Sequence, residues 1–227
     1  MGPVVLPWGG LPPVRVAPAV EDDPPGLEAE WRRRCALNPN LHDGPLVEVL
    51  HAGPGGIDAR RTTYRRFVAG PAVGRPVLAL GVTGVCIHED RVLLGRRAAG
   101  VRIYGGLWET APRGGVEPGP GGELTGADLA ACLGAEGREE LGPTFRVVSS
   151  SFLAAVRDDE AGSLDLCFRL GLAGDPSGPA AWEYGERRWA PLTEVAAWAR
   201  GGPAPAGVEG VLSPPAAALA GWEGWAG

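Results

Sequence analysis

Apolar positions recur along the chain at two periods, and the places where the period changes mark its elements. Val4-Val5-Leu6 and Val14-Arg15-Val16 stand between Pro and Gly residues, which predicts two short strands. Leu27, Trp31 and Cys35 fall at helical spacing with charge between them, so residues 27–37 read as an amphipathic helix. Asn38-Pro39-Asn40-Leu41-His42-Asp43-Gly44-Pro45 is a turn cluster, residues 46–50 read as a strand, and residues 61–67 place Tyr64 and Phe67 for packing. From Pro76 the pattern becomes β-leaning. Residues 77–87 and 91–97 form a hairpin around His88-Glu89-Asp90, and residues 145–156 and 164–172 form a second pair around 158–162. A last strand at 187–191, a helix near 194–200 and a helix from Ser213 complete the series, with Trp222 and Trp225 docking on apolar surface.

One further stretch, 125–142, carries both a helical pattern and a charge problem. Thr125 with Asp128 three residues on starts a capping box, and Gly142-Pro143 is a stop. Leu129, Leu133 and Leu141 give an apolar stripe. Glu136, Glu139 and Glu140 project from a neighbouring face at i, i+3 and i+4. Like charges at this spacing repel, so either the face is solvated or a cation sits between them. For oxygen ligands that cation is Mg²⁺ or Mn²⁺. Just upstream, 107–119 is an apolar segment running into a glycine-rich loop of the kind that lets backbone approach a ligand closely.

Composition narrows the function classes. The 227 residues include 37 Gly and 23 Pro, together more than a quarter of the chain, which predicts long loops around an ordinary globular core. A net charge of −6 leaves no basic stripe for nucleic acid, and Arg32-Arg33-Arg34 reads as the solvent side of a helix. No apolar run is long enough to span a bilayer and no signal-peptide pattern opens the chain, so the expected location is cytoplasmic. Cys35, Cys86, Cys132 and Cys167 are widely spaced, as reduced core residues would be.

The glycine loop followed by the carboxylate helix resembles the Nudix box of the Nudix hydrolases. Gly114-Gly115-Val116-Glu117-Pro118-Gly119 matches its opening, and Ala135-Glu136-Gly137-Arg138-Glu139-Glu140-Leu141-Gly142 its close. Three departures stand out. Ala135 replaces the family's Arg, Gly137 a hydrophobic residue and Gly121 the loop Glu, while the interval between the two halves is about six residues longer than usual. The order of the first 70 residues (helix Trp, Asn-Pro turn, strand, Thr63-Tyr64-Arg65-Arg66-Phe67) is similar to larger Nudix proteins, including UDP-sugar hydrolases.

The resemblance implies an α/β protein, an α/β/α sandwich with a mixed sheet over residues 76–200. A small α+β companion would occupy 1–75, and a docked helical extension 201–227. It implies that Glu136, Glu139, Glu140 and the Gly114 carbonyl hold Mg²⁺ or Mn²⁺, with Glu139, Glu140 and Glu183 as the catalytic carboxylates. Glu186 and Asp158 compete with Glu183 for the last role. Arg96, Arg102, Tyr104 and Glu109 are the candidate substrate contacts, with Arg97 and Trp108 beside them. The implied reaction is metal-dependent hydrolysis of a diphosphate linkage in a small nucleoside diphosphate derivative, of UDP-sugar or ADP-ribose type. A homodimer is compatible with the family. The alternatives are a Nudix-fold binding or regulatory module that has lost turnover, and an interaction protein with a solvated acidic helix.

Overall fold

The computed structural model describes residues 2–19, 22–173, 176 and 183–226. In chain order its strands are β1 (Val4–Leu6), β2 (Val14–Ala17), β3 (Pro45–Gly53), β4 (Gly56–Thr63), β5 (Ala79–His88), β6 (Arg91–Arg97), β7 (Trp108–Thr110), β8 (Arg113–Gly115), β9 (Glu123–Leu124), β10 (Val147–Asp158), β11 (Ser163–Leu172) and β12 (Tyr184–Pro191). The α-helices are α1 (Leu27–Leu37), α2 (Tyr64–Ala69), α3 (Gly126–Glu140), α4 (Leu192–Ala199) and α5 (Pro214–Gly221).

All twelve strands join one mixed sheet. Its main path runs β1-β10-β11-β5-β3-β4-β2-β9, while β6 leaves β5 at the hairpin to pair with β7 and β12, and β8 lies along β5. The centre is β5, buried over its first eight residues, parallel to β11 and antiparallel to β8. Its alternation sorts the two faces as a pleated strand must. Leu80, Val82 and Cys86 face one core with Leu164, Leu166, Leu129 and Leu133; Val85 faces the other with Val92, Leu94, Val195, Leu219 and Trp225. Helix α3 therefore covers one face and α4 and α5 the other, which is the expected α/β/α layering with a mixed sheet. The strands of residues 1–63 extend this sheet past β5, where Glu48 of β3 pairs with Ala79 and the Val49 N–H donates to the Leu78 carbonyl at 2.7 Å.

Five elements escape the periodicity. Strand β4 (Gly-Ile-Asp-Ala-Arg-Arg-Thr-Thr) is polar because its charges are met across strands: Arg60 donates to Glu48 at 2.6 Å and Arg15 to Asp58 at 2.8 Å. Helix α2 follows at once, started by the Thr63 side chain accepting from the Arg66 N–H. Strands β7, β8 and β9 are too short to show a period.

Helix α3 begins as its sequence predicts. Thr125 accepts from the Asp128 N–H and the Asp128 carboxylate accepts from the Thr125 N–H at 2.8 Å, a reciprocal cap contributing on the order of 1 kcal/mol. Inside it, Gly137 is buried, and a Cβ there would stand 2.1 Å from the Phe145 ring. The hydrophobic residue missing at 137 is thus supplied from the next turn by Phe145, itself fully buried. At the other end of the chain Trp225 is buried and its indole N–H donates to the Leu192 carbonyl, so the terminal segment docks on α4.

Gly137→Ala should lower stability although alanine is the better helix former. The propensity gain of about 1 kcal/mol is outweighed by overpacking against Phe145, which costs roughly 1–3 kcal/mol. Urea unfolding should show the loss, and Phe145→Leu in the alanine background should recover part of it; a stabilised single variant would contradict the packing.

Candidate active site

Strand β8 and the end of α3 meet where the sequence places the two halves of the box. The Arg113 N–H donates to Glu140 Oε2 at 2.9 Å, which ties the last turn of the helix to the strand. One residue on, Gly114 lies so close to Glu136 that an added Cβ would stand 2.0 Å from its carboxyl carbon. Only glycine lets the Glu136 carboxylate reach this backbone.

The site opens on a cleft of about 410 Å³, within the range of small-molecule sites. Glu117, Glu136, Glu139 and Glu183 line it together with Gly114. Facing them are Tyr64 and Phe67 of α2, Arg97, Arg102 and the 38–42 turn. Arg102 lies over the Phe67 ring at 4.5 Å and donates to the Ala161 carbonyl at 3.1 Å; it forms no ion pair among the described residues. Tyr64 and Phe67 pack at 6.0 Å, and Trp31 buttresses Tyr64 edge-on at 6.5 Å. Carboxylate, guanidinium and aromatic side chains thus share one cleft.

Burial sets the charge state of the acidic wall. It pushes Glu136 up to about 7, with the charges of Glu139, Glu183 and Glu117 adding to the effect. Glu140 is only 2 % exposed. Burial, and then the Glu183 carboxyl beside it, raise it well above the usual carboxylate range against the lesser pull of the Arg113 N–H. Its Oε1 meets no donor among the described residues. A buried acceptor without a donor is costly, and here it faces another carboxyl, so a shared proton or a cation is what would satisfy it.

Part of the cleft lining belongs to a buried ionic network. Arg113 donates to Asp165 at 2.8 Å and to Ser163 at 3.1 Å, Arg97 donates to Glu109 at 2.7 Å, and the Tyr184 hydroxyl donates to the same Glu109 oxygen at 2.9 Å. Burial opposes the charge on Arg113, but Asp165 and Glu109 outweigh it and raise its pKa.

The candidates named from the sequence therefore separate. Glu136, Glu139, Glu183, Gly114 and Arg102 line one cleft, and Glu140 lies behind it. Three expected substrate contacts are turned elsewhere. Glu109 is buried and drawn inward by Arg97 and Tyr184; Arg96 donates to the Gly106 carbonyl and leans to Glu186 at 3.7 Å; Tyr104 gives its hydroxyl to Asp158 at 2.8 Å. The competitors for Glu183 are likewise occupied. Asp158 caps the β10–β11 turn through the Glu160 and Ala161 N–H groups, and Glu186 pairs with Arg188 at 2.7 Å. Glu117 lines the cleft too, although it stands outside the sequence-predicted carboxylate set. Its position three residues after Gly114, in the same glycine loop, was the available signal. Arg102 is among the sequence candidates, while Tyr64 and Phe67 read there only as packing residues and are brought to the same cleft by the fold.

Among the described residues, no three His, Cys, Asp or Glu groups stand close enough to hold an ion as they are. The chemistry of the donors nevertheless suits a hard cation: they are all carboxylate or carbonyl oxygens, gathered on one wall, with an unmet buried oxygen behind. No helix among the described residues is long and apolar enough to cross a membrane.

Neither a family model nor a curated protein matches the chain. Several solved structures are similar. A MutT protein from Methanosarcina mazei Go1 is 21% identical over 51% of this chain and 78% of its own, with a TM-score of 0.40. The NUDIX domain of Shewanella oneidensis NrtR, solved in complex with ADP ribose, is 20% identical over 63% and 90%, with a TM-score of 0.40. DR0079 from Deinococcus radiodurans is 15% identical over 71% and 92%, with a TM-score of 0.45. Likeness at this level does not assign an activity, and what the chain does has to be argued from its own cleft.

Two outcomes test the electrostatics. In the ion-free protein, Glu136 binds its proton more tightly when folded, so stability is fully present below its ordinary value of about 4.5 and is lost as pH rises through about 7. The Tm measured without divalent ions should fall between pH 5 and pH 8, and Glu136→Gln should flatten that fall; a rise with pH in the native protein would contradict it. Arg113→Met, which strands Asp165 and Glu109, should cost about 3–5 kcal/mol in denaturant unfolding, and a neutral effect would show the network to be solvated.

Proposed function

We propose that this chain is a Nudix-type hydrolase that cleaves the diphosphate linkage of a small nucleoside diphosphate derivative with a divalent cation, Mg²⁺ or Mn²⁺. The observation that carries the reading is Glu140: a buried carboxylate with one oxygen unmet, facing Glu183 at the end of a helix that also brings Glu136 and Glu139 to the cleft. An acidic wall repels a diphosphate, so the arrangement is useful to such a substrate only when a cation reverses its sign.

Glu136, Glu139, Glu140 and the Gly114 carbonyl would hold the ion. When bound, it supplies charge neutralisation at the phosphates and lowers the pKa of an attacking water. Glu183, beside Glu140 and open to the cleft, is placed to accept the proton of that water. Arg102 on the opposite wall has guanidinium donors left over after Ala161 and can grip the phosphate farther from the carboxylates. Tyr64 and Phe67 offer the apolar surface for a base or sugar. Positioning and charge stabilisation are most of what phosphoryl chemistry asks of a protein. A nucleotide-sugar-like substrate, UDP-sugar or ADP-ribose, in a cytoplasmic enzyme that is monomeric or homodimeric, completes the reading.

A binding or regulatory module that has lost turnover is favoured only by Ala135 and Gly121. Gly137 does not speak for it, since Phe145 fills that space.

Product release should be measured over a panel of UDP-sugars, ADP-ribose and other nucleoside diphosphate derivatives with Mg²⁺ or Mn²⁺. We expect cation-dependent cleavage of at least one class. Glu140→Gln should lower kcat by on the order of 100-fold or more without loss of folding, because the amide replaces a buried carboxyl of nearly the same shape. Arg102→Ala should raise KM roughly tenfold, the scale of one charge-assisted hydrogen bond. Saturable cation and nucleotide binding without cleavage would select the module, and no saturable cation binding the interaction protein.

A further inference from the structure

The glycine loop and the carboxylate helix are held from the N-terminal side of the sheet. The Val47 N–H donates to the Val116 carbonyl at 3.1 Å and the Val16 N–H to the Gly122 carbonyl at 2.6 Å. Val14 and Arg15 pair antiparallel with Leu124 and Glu123. Between these ties the half-buried Arg61 of β4 donates through Nη2 to the carbonyl of Gly119 and, at 3.4 Å, to that of Gly121. The loop thus leaves β8 beside β5, crosses β3 and β4, and lands as β9 beside β2.

Helix α3 then runs back over the strands the loop has crossed. It starts beside Leu11, packs Leu129 and Leu133 in one core with Val14, Val16, Val47 and Ile57, and ends with Glu136 at Gly114 and Glu140 at the Arg113 N–H. The lengths agree. The 15 residues of α3 span about 22 Å at 1.5 Å each, and the four strand steps from β5 to β9 cover about 19 Å at 4.8 Å each. The extra residues between the two halves of the box are what a sheet widened by β3, β4 and β2 requires.

We propose that residues 1–63 form the floor of the carboxylate site rather than a separable companion, and that Arg61 is its positioning residue. Arg61 fixes the loop that carries Glu117 and so sets where α3 begins and where its carboxylates end. This rests on reading the cleft as a divalent-cation site, and its test keeps the two claims apart. Hydrogen exchange of the native chain, Arg61→Ala and Arg61→Lys is compared by mass spectrometry, alongside Mn²⁺ titration by calorimetry. In R61A, amides 117–125 should exchange at least about tenfold faster while β5, β10 and β11 keep their protection. The Mn²⁺ Kd should rise by roughly 10- to 100-fold, as when partners that orient metal ligands are lost. R61K, which keeps a donor for the carbonyls, should recover most of both. Unchanged loop exchange and affinity in R61A, or faster exchange spread evenly over the chain, would overturn the proposal. Should R61A fail to fold, Arg61→Gln is read by the same criteria. If the native chain binds no Mn²⁺, the cation reading falls while the loop exchange still decides the role of Arg61.

Discussion

Carboxylates crowded at one cleft, with Glu140 buried behind it, are the constraint on which the rest of this protein turns. Glu117, Glu136, Glu139 and Glu183 line the cleft and Glu140 lies behind them; burial first, and then the neighbouring carboxylates, make Glu136 and Glu140 harder to ionise. A fold gains no stability from such crowding. It persists because the surroundings are built to hold it: Gly114 gives Glu136 its place, the Arg113 N–H fixes one oxygen of Glu140, and the capping box and the Leu129–Leu133 stripe anchor the helix that carries both.

The cations are distributed to match. Arg97 and Arg113 line the cleft but are already paired with Glu109 and Asp165, so neither is free to cancel its carboxylates. Arg102 is the contrasting case, stacked on Phe67 and open to the cleft. A diphosphate between the two walls would meet Arg102 on one side and, once a cation is held, a second positive centre on the other. The same division explains why Glu109 and Arg97 look like site residues in the sequence and turn out to be each other's partners.

Much of the fold was legible because periodicity and turn chemistry agreed. Leu27–Leu37, the β5–β6 hairpin, the β10–β11 pair and the capped helix all announce themselves through spacing, Gly, Pro and Thr125/Asp128. Strand β4 was not legible, since Arg60 and Arg61 find their partners in β3 and in the glycine loop rather than in their neighbours. In the site, the helix acids were visible because i, i+3, i+4 spacing puts them on one face by geometry alone. Tyr64 and Phe67 were not legible as site residues, because only the tertiary fold brings them to the same cleft as Arg102 and Glu136. Gly137 looked like a defect until Phe145 was seen in the space a side chain would need.

The most direct test of the account is the proton balance of cation binding. Mn²⁺ should be titrated calorimetrically at pH 6.5 in two buffers of different ionisation enthalpy, with a non-hydrolysable nucleoside diphosphate analogue present. Because burial raises Glu136 to about 7 and Glu140 above the usual carboxylate range, the account predicts saturable binding with proton release, abolished in Glu140→Gln. Binding that is absent, or saturable without any proton released, would contradict it.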